Sequence, residues 1–184
     1  MQLTRKTAHE IISHEAIVRE AYKDSKGIWT WGIGVTNASG HTVDPRYVDN
    51  PQSIKKCLEV YIWLLKLKYI PDVVDAFDGH MLTEAQFAAA LSFHFNTGAI
   101  KRAGWVTKWK AGAVTAARKA IMEYKRPPEI VPRRTAERNL FFDGIWSGTG
   151  KATIWPVKKP SYTPDWAHPS RIDVSGILDE LIPQ

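Results

Sequence analysis

Apolar positions change rhythm several times along the chain. Leu3, Ala8, Ile11, Ile12, Ile17 and Val18 recur at mixed short steps through residue 22, which predicts a helix over residues 3–22. Gly27 interrupts this run. Ile28-Trp29-Thr30-Trp31-Gly32-Ile33-Gly34-Val35-Thr36 then has the β-branched and aromatic character of a strand. Its glycines, Gly32 and Gly34, weaken a strand as structure and so mark tight packing or close approach to a ligand. Asn37-Ala38-Ser39-Gly40 is turn chemistry, from which His41-Thr42-Val43 is expected to return as a paired strand. Asn50-Pro51 reads as a helix cap followed by a first helical proline. Ile54, Leu58, Tyr61, Ile62 and Leu65 then repeat at three- and four-residue steps until Pro71. A helix of roughly 20 residues spans about 30 Å, long enough to connect two lobes.

The second half is more strongly helical. Thr83-Glu84-Ala85-Gln86 has the form of a capping box opening a buried helix through Phe95, ended by Asn96-Thr97-Gly98. A helix is expected over Ala113–Tyr124, stopped by Pro127-Pro128, and another over Pro132–Phe142, closed by Asp143-Gly144. After Trp155 the prolines 156, 160, 164, 169 and 183 punctuate the chain and rule out long regular elements. The expected organisation is a catalytic domain over residues 1–154, with a Pro-rich extension over 155–184. That extension is expected to pack on the body through Trp155, Tyr162 and Trp166. No internal repeat or low-complexity segment occurs.

Composition narrows the class. With 184 residues, 44% hydrophobic and 24% charged, the chain is an ordinary globular sequence. It has no apolar run of the roughly 20 residues a membrane span requires. The first residues, Met1-Gln2-Leu3-Thr4-Arg5-Lys6-Thr7, lack the apolar core of a signal peptide, so a soluble cytoplasmic product is expected. Cys57 is the single cysteine, which excludes an internal disulfide and reads as a small buried hydrophobe. The net charge of +6 points to a polyanionic partner. Between Lys101 and Arg126 stand eight basic residues and one acid, Glu123, which suits nucleic acid, an anionic membrane or an acidic envelope alike. His14-Glu15-Ala16-Ile17-Val18 lacks the second histidine of a zinc-protease helix. No metal and no cofactor is expected.

The chemistry concentrates between His14 and Gly34. Glu15, Asp24 and Thr30 are spaced across a helix end, a turn and a glycine-punctuated strand. Two carboxylates on different elements meet the needs of glycosidic cleavage, one to protonate the leaving oxygen and one to act on the anomeric side. This spacing, with Tyr22-Lys23-Asp24 and Gly32-Ile33-Gly34, resembles the phage-type lysozymes (endolysins) of glycoside hydrolase family 24. The resemblance runs from about Thr7 to Gly148. It implies a predominantly helical α+β fold with two lobes, a small β-hairpin lobe and a helical C-terminal lobe joined by a long connector helix, with the cleft between them. It also implies a muramidase that cleaves the β-1,4 bond between N-acetylmuramic acid and N-acetylglucosamine, with inversion. Glu15 would be the general acid, and Asp24 with Thr30 would hold the water. Ser92-Phe93-His94-Phe95-Asn96-Thr97-Gly98 and Gly104-Trp105 look like the family's cleft floor, which would put Phe95, Asn96 and Lys108 against substrate. Pro132-Arg133-Arg134 resembles its late arginine helix, where one arginine reaches the catalytic glutamate; Arg134 is the choice over Arg133. One departure is Val35, where many members carry histidine after the Gly-Ile-Gly segment.

The implied partner is bacterial peptidoglycan, met by a monomer through peripheral envelope contact only, with no nucleic acid. The implied setting is the host cytoplasm, with the wall reached after holin-dependent membrane permeabilisation. Two other readings compete. A lytic transglycosylase needs one glutamate and no water, and the Asp24–Thr30 pair argues against it. A non-catalytic envelope- or nucleic-acid-binding domain would use the basic stretch, yet the chain carries no base-stacking or helix-turn-helix motif.

Overall fold

The computed structural model describes residues 1–183. The first half runs α1 (Arg5–Ile12), β1 (Ala16–Lys23), β2 (Trp29–Gly32), β3 (Val35–Thr36), α2 (Ile54–Leu64), α3 (Ile70–Ala76) and α4 (Glu84–Thr97). The second continues with α5 (Gly104–Lys110), α6 (Val114–Ala120), α7 (Val131–Asp143), β4 (Lys151–Ile154), β5 (Val157–Lys158), β6 (Thr163–Pro164), β7 (Ser170–Asp173) and α8 (Ser175–Leu181). The fold is α+β and predominantly helical. It divides into a helical unit, Met1–Ile11 with Leu65–Thr149, and a sheet-bearing unit, Ile12–Leu64 with Gly150–Gln184.

In the sheet-bearing unit five strands take the order β3-β2-β1-β4-β7. β1 pairs antiparallel with β2, placing Tyr22 opposite Thr30, and parallel with β4, placing Ile17 opposite Ile154. Here the expected helix over 3–22 is corrected. It ends at Ile12, a turn follows, and residues 16–23 are a central strand. A strand with neighbours on both edges buries Ile17 and Val18 in succession, and such a contiguous apolar pair carries no period that separates strand from helix. The expected strand at residues 41–43 is also absent. The Asn37 side-chain oxygen accepts the Val43 amide at 2.6 Å and takes the place of a strand partner. α2 starts at Ile54 rather than at Pro51. Ser53 Oγ caps it from the Lys56 amide at 3.1 Å, while Asn50 donates to the Arg46 carbonyl.

The extension after Gly150 is built into this unit. β4 carries β7 antiparallel on its far edge, β5 and β6 form a separate two-stranded hairpin, and α8 closes the chain. Val174 and Leu178 join a core that includes Trp31, Ile33, Leu58 and Tyr61.

The helical unit holds the elements whose ends were most legible. Thr83 Oγ accepts the Gln86 amide and Gln86 Oε1 accepts the Thr83 amide, so the capping box is formed and α4 ends at left-handed Gly98. α7 ends likewise at Gly144, with φ 68°. Between them Phe77, Phe93, Trp105 and Phe141 pack ring on ring, with centroids 4.9–6.0 Å apart. Glu10 is buried at the end of α1, where its carboxylate accepts the Ser147 hydroxyl and the Ser147 and Gly148 amides. Among the described residues no helix is long and apolar enough to cross a membrane.

Candidate active site

Glu15, Asp24 and Thr30 all belong to the sheet-bearing unit. Glu15 occupies the turn between α1 and β1, half-buried, with its amide donating to the Ile12 carbonyl at 3.0 Å. The turn replaces the helix end foreseen for it, and β1 then leads directly from Glu15 to Asp24.

Asp24 opens the hairpin turn after β1. Its Oδ1 accepts the amides of Lys26 at 2.8 Å and Ile28 at 2.9 Å, while its own amide donates to the Ile28 carbonyl at 3.0 Å. Gly27 supplies the left-handed φ of 75° that such a tight turn requires. Thr30 is buried on β2, and its hydroxyl donates to that same Ile28 carbonyl at 3.1 Å. Asp24 and Thr30 are therefore coupled through the backbone of one residue, Ile28. The carboxylate oxygen engaged by both amides is Oδ1.

Tyr22 lies in the field of both Asp24 and Glu15. It stands opposite Thr30 across the β1–β2 ladder. Its hydroxyl is pushed up to about 12, first by burial and then by the negative charges of Asp24 and Glu15. One phenol thus feels both carboxylates and stays neutral at any physiological pH. Tyr22 carried no assigned role in the sequence beyond its place in Tyr22-Lys23-Asp24, and that segment is the signal that could have found it.

The C-terminal extension closes on this turn. The Lys23 amide donates to the Tyr162 carbonyl at 2.6 Å, and Trp29 meets the Tyr162 ring edge-on at 5.3 Å. A cavity of about 380 Å³ lies between the two segments, lined by Tyr22, Lys23, Asp24, Ser25, Thr163, Pro164 and Trp166.

The residues expected against substrate from the later helices lie in the helical unit, and the structure groups two of them. Asn96 and Arg134 flank a cavity of about 490 Å³ that Arg102, Tyr124 and Arg126 also line. Arg134 is fully buried. It donates to the Tyr124 carbonyl at 2.9 Å, to Asn96 Oδ1 at 2.6 Å and to Glu137 Oε2. Burial lowers the Arg134 pKa, against the attraction of Glu137. Arg133 and Ser92 bind the other oxygen of Glu137, at 2.9 and 2.7 Å. Arg134 therefore orients the Asn96 side chain from a buried position. Phe95 packs on Tyr69, with ring centroids 4.9 Å apart, and Lys108 is exposed on α5; neither lines the cavity with Asn96.

The basic stretch is partly spent on local pairing. Lys101 bridges Asp72 and Asp75 at 2.9 Å each, and Arg118 forms a two-pronged pair with Asp143 at 2.6 Å. Among the described residues no cluster of three or more His, Cys, Asp or Glu side chains is arranged to hold a metal.

The chain is similar to known proteins in sequence and in fold. Residues 12–137 match the phage lysozyme family model. An endolysin from Escherichia coli O157:H7 phage FAHEc1 superposes with a TM-score of 0.69 at 23% identity, over 80% of this chain and 97% of that one. A point mutant of P22 lysozyme gives 0.62 at 26% identity, over 77% and 98%. The muramidase domain of SpmX from Asticaccaulis excentricus gives 0.59 at 23%, over 76% and 97%. No curated protein matches the chain in sequence. The family match spans well over half the chain and takes in Glu15, Asp24 and Thr30, so the chain belongs to the phage lysozyme family, glycoside hydrolases of peptidoglycan.

Proposed function

We propose that the chain is an inverting muramidase, cleaving the β-1,4 bond between N-acetylmuramic acid and N-acetylglucosamine with Glu15, Asp24 and Thr30. The observation that carries the reading is the Tyr22–Asp24–Ile28–Thr30 arrangement. It holds one carboxylate and one hydroxyl on a common backbone hinge, with a phenol that senses Glu15 as well. Glu15 gives its proton to the glycosidic oxygen as the bond to the anomeric carbon breaks. A water takes the opposite face, accepted by Asp24 Oδ2 and donating to the Thr30 hydroxyl oxygen, whose own proton is committed to Ile28. As the new carbon–oxygen bond forms, Asp24 receives the water's proton. Such a pair works with its carboxyl groups about 6.5–9.5 Å apart, leaving room for that water.

Phe95, Asn96 and Lys108 are proposed as contacts for the polymer, with Arg134 acting through Asn96. In this reading the enzyme is a monomer that gains the wall from the host cytoplasm after membrane permeabilisation and lyses the cell. It binds no nucleic acid.

Digestion of purified peptidoglycan tests the chemistry. Mass spectrometry should find reducing ends, proton NMR should show the α-anomer first, and Glu15→Gln should lose at least about 10²-fold in rate, the low end for one general acid. 1,6-Anhydro ends would replace hydrolysis by transglycosylation, and intact glycan would leave a binding domain. Lysis that occurs only when the enzyme is co-expressed with a membrane-permeabilising protein tests the route.

A further inference from the structure

We propose that the C-terminal extension builds a saccharide subsite next to Asp24, with Trp166 as the platform on which a sugar ring of the glycan strand stacks. The proposal rests on the muramidase reading above and assigns it a binding element beyond residues 12–137, the span matched by the family.

Trp166 is the starting point. Its indole is 65% exposed although the side chain is large and apolar. The exposure is not slackness, because Trp155 packs edge-on against it with centroids 4.5 Å apart. A ring held in place and left open to solvent loses little freedom on binding, which favours affinity. The extension beneath it is fastened by several independent contacts. Besides the Lys23–Tyr162 backbone bond, the Tyr162 hydroxyl donates to Asp49 at 2.8 Å, and Lys159 reaches Glu20 at 3.1 Å as well as Asp49.

The cavity in front of Trp166 supplies the rest of a sugar site. Its volume of about 380 Å³ falls in the range of small-molecule sites, about 300–1,000 Å³. Its lining combines apolar surface from Trp166 and Pro164 with polar groups from Tyr22, Asp24 and Ser25. A pyranose has the complementary build, with a C–H face that is apolar and slightly electropositive and an equatorial rim of hydroxyl and acetamido groups. The indole face is electron-rich, so the C–H face stacks on it while the rim meets the polar groups. The Tyr22 hydroxyl, neutral throughout the physiological range, can donate to or accept from that rim. Asp24 is itself part of the lining, so a ring bound here would contact the residue proposed to hold the water. A polymer occupant is favoured over a free small molecule, because the muramidase reading supplies a glycan strand at Asp24.

The test uses full-length protein and the N-acetylglucosamine tetramer as probe. Calorimetry in the Glu15→Gln background should show Trp166→Ala weakening the Kd about tenfold, with Trp166→Tyr restoring most of it. On peptidoglycan with Glu15 intact, the loss from Trp166→Ala should fall mainly on KM rather than on kcat. A Kd and a KM both within twofold of the parent protein would overturn the subsite and leave the muramidase reading standing. So would a loss confined to kcat. Tetramer binding that depends on Trp166, in a protein that releases no reducing ends, would support the subsite and sink the muramidase reading instead. Near-identical melting of the Trp166→Tyr protein guards against a folding effect.

Discussion

Replacing Glu137 by glutamine isolates the charge that holds the later helices together. The carboxylate is 1% exposed and faces two guanidinium groups that are themselves buried, Arg133 through Oε1 and Arg134 through Oε2, with the Ser92 hydroxyl on Oε1 as well. Glutamine keeps the volume and one acceptor oxygen. It sets an amide donor against one of the arginines, however, and leaves two buried positive charges without that carboxylate. Breaking a buried pair by removing one partner costs about 3–5 kcal/mol, because the stranded charge has lost both water and counter-ion. For a chain of this length each kcal/mol moves the midpoint by about 2–4 °C, so Tm should fall by about 6–20 °C. Thermal unfolding followed by circular dichroism at neutral pH reads this directly, with Glu137→Asp, which keeps the charge on a shorter arm, falling in between. The same change should loosen Asn96, whose side-chain oxygen Arg134 holds at 2.6 Å, and raise KM on peptidoglycan. A Glu137→Gln midpoint within about 3 °C of the parent, less than 1–2 kcal/mol on this scale, would refute the claim that one carboxylate balances both arginines.

Asp24→Asn and Thr30→Ala should each slow hydrolysis, and the double variant should lose less than the sum of the two in activation free energy, since both act on one water; strict additivity in steady-state kinetics would contradict that. Gly148→Ala should destabilise, because an added Cβ would come within 2.7 Å of the Glu10 amide nitrogen and 2.9 Å of Glu10 Oε2; overpacking of this kind costs about 1–3 kcal/mol, and an unchanged melting curve would show that the segment yields freely. Cys57 is buried, and burial pushes its thiol up to about 12, so a disulfide reagent at pH 8 should label it only at the rate of unfolding; rapid labelling of native protein would contradict its burial. Burial lowers the pKa of His94 more than Asp72 raises it, so its contribution to stability is present above the unfolded value of about 6.5 and lost as pH falls through it toward the folded one. His94→Gln should therefore flatten the fall in Tm between about pH 7 and pH 5, and a slope equal to that of the parent protein would assign the pH dependence elsewhere.

Much of this protein is legible in the chain because the relevant physics is local. Thr83 and Gln86 stand three residues apart and satisfy each other's backbone donors whatever surrounds them, so the start of α4 could be read directly. Gly98 and Gly144 end helices because they accept a left-handed φ at little cost, again a property of single residues. The spacing of Glu15, Asp24 and Thr30 is local in the same sense, since the β1–β2 hairpin and the turn leading into it carry all three.

Tertiary structure decided what depends on partners far along the chain. Residues 16–22 have apolar content that suits either a helix or a strand, and they became a strand because β2 and β4 satisfy both of its edges. β4 lies beyond residue 150, and no nearby residue announces it. Pairing onto β4 turned part of a proline-punctuated extension into the far edge of the sheet, and packing of the separate β5–β6 hairpin on β1 brought Thr163, Pro164 and Trp166 up to Asp24. Arg134 could be recognised as a candidate from its motif, but its burial against Glu137, Asn96 and the Tyr124 carbonyl follows from the packing of α7 beside α4. Local sequence set where helices start and stop and which carboxylates were available. Long-range pairing set what surrounds them, because hydrogen-bond partners and desolvation exist only once distant segments have met.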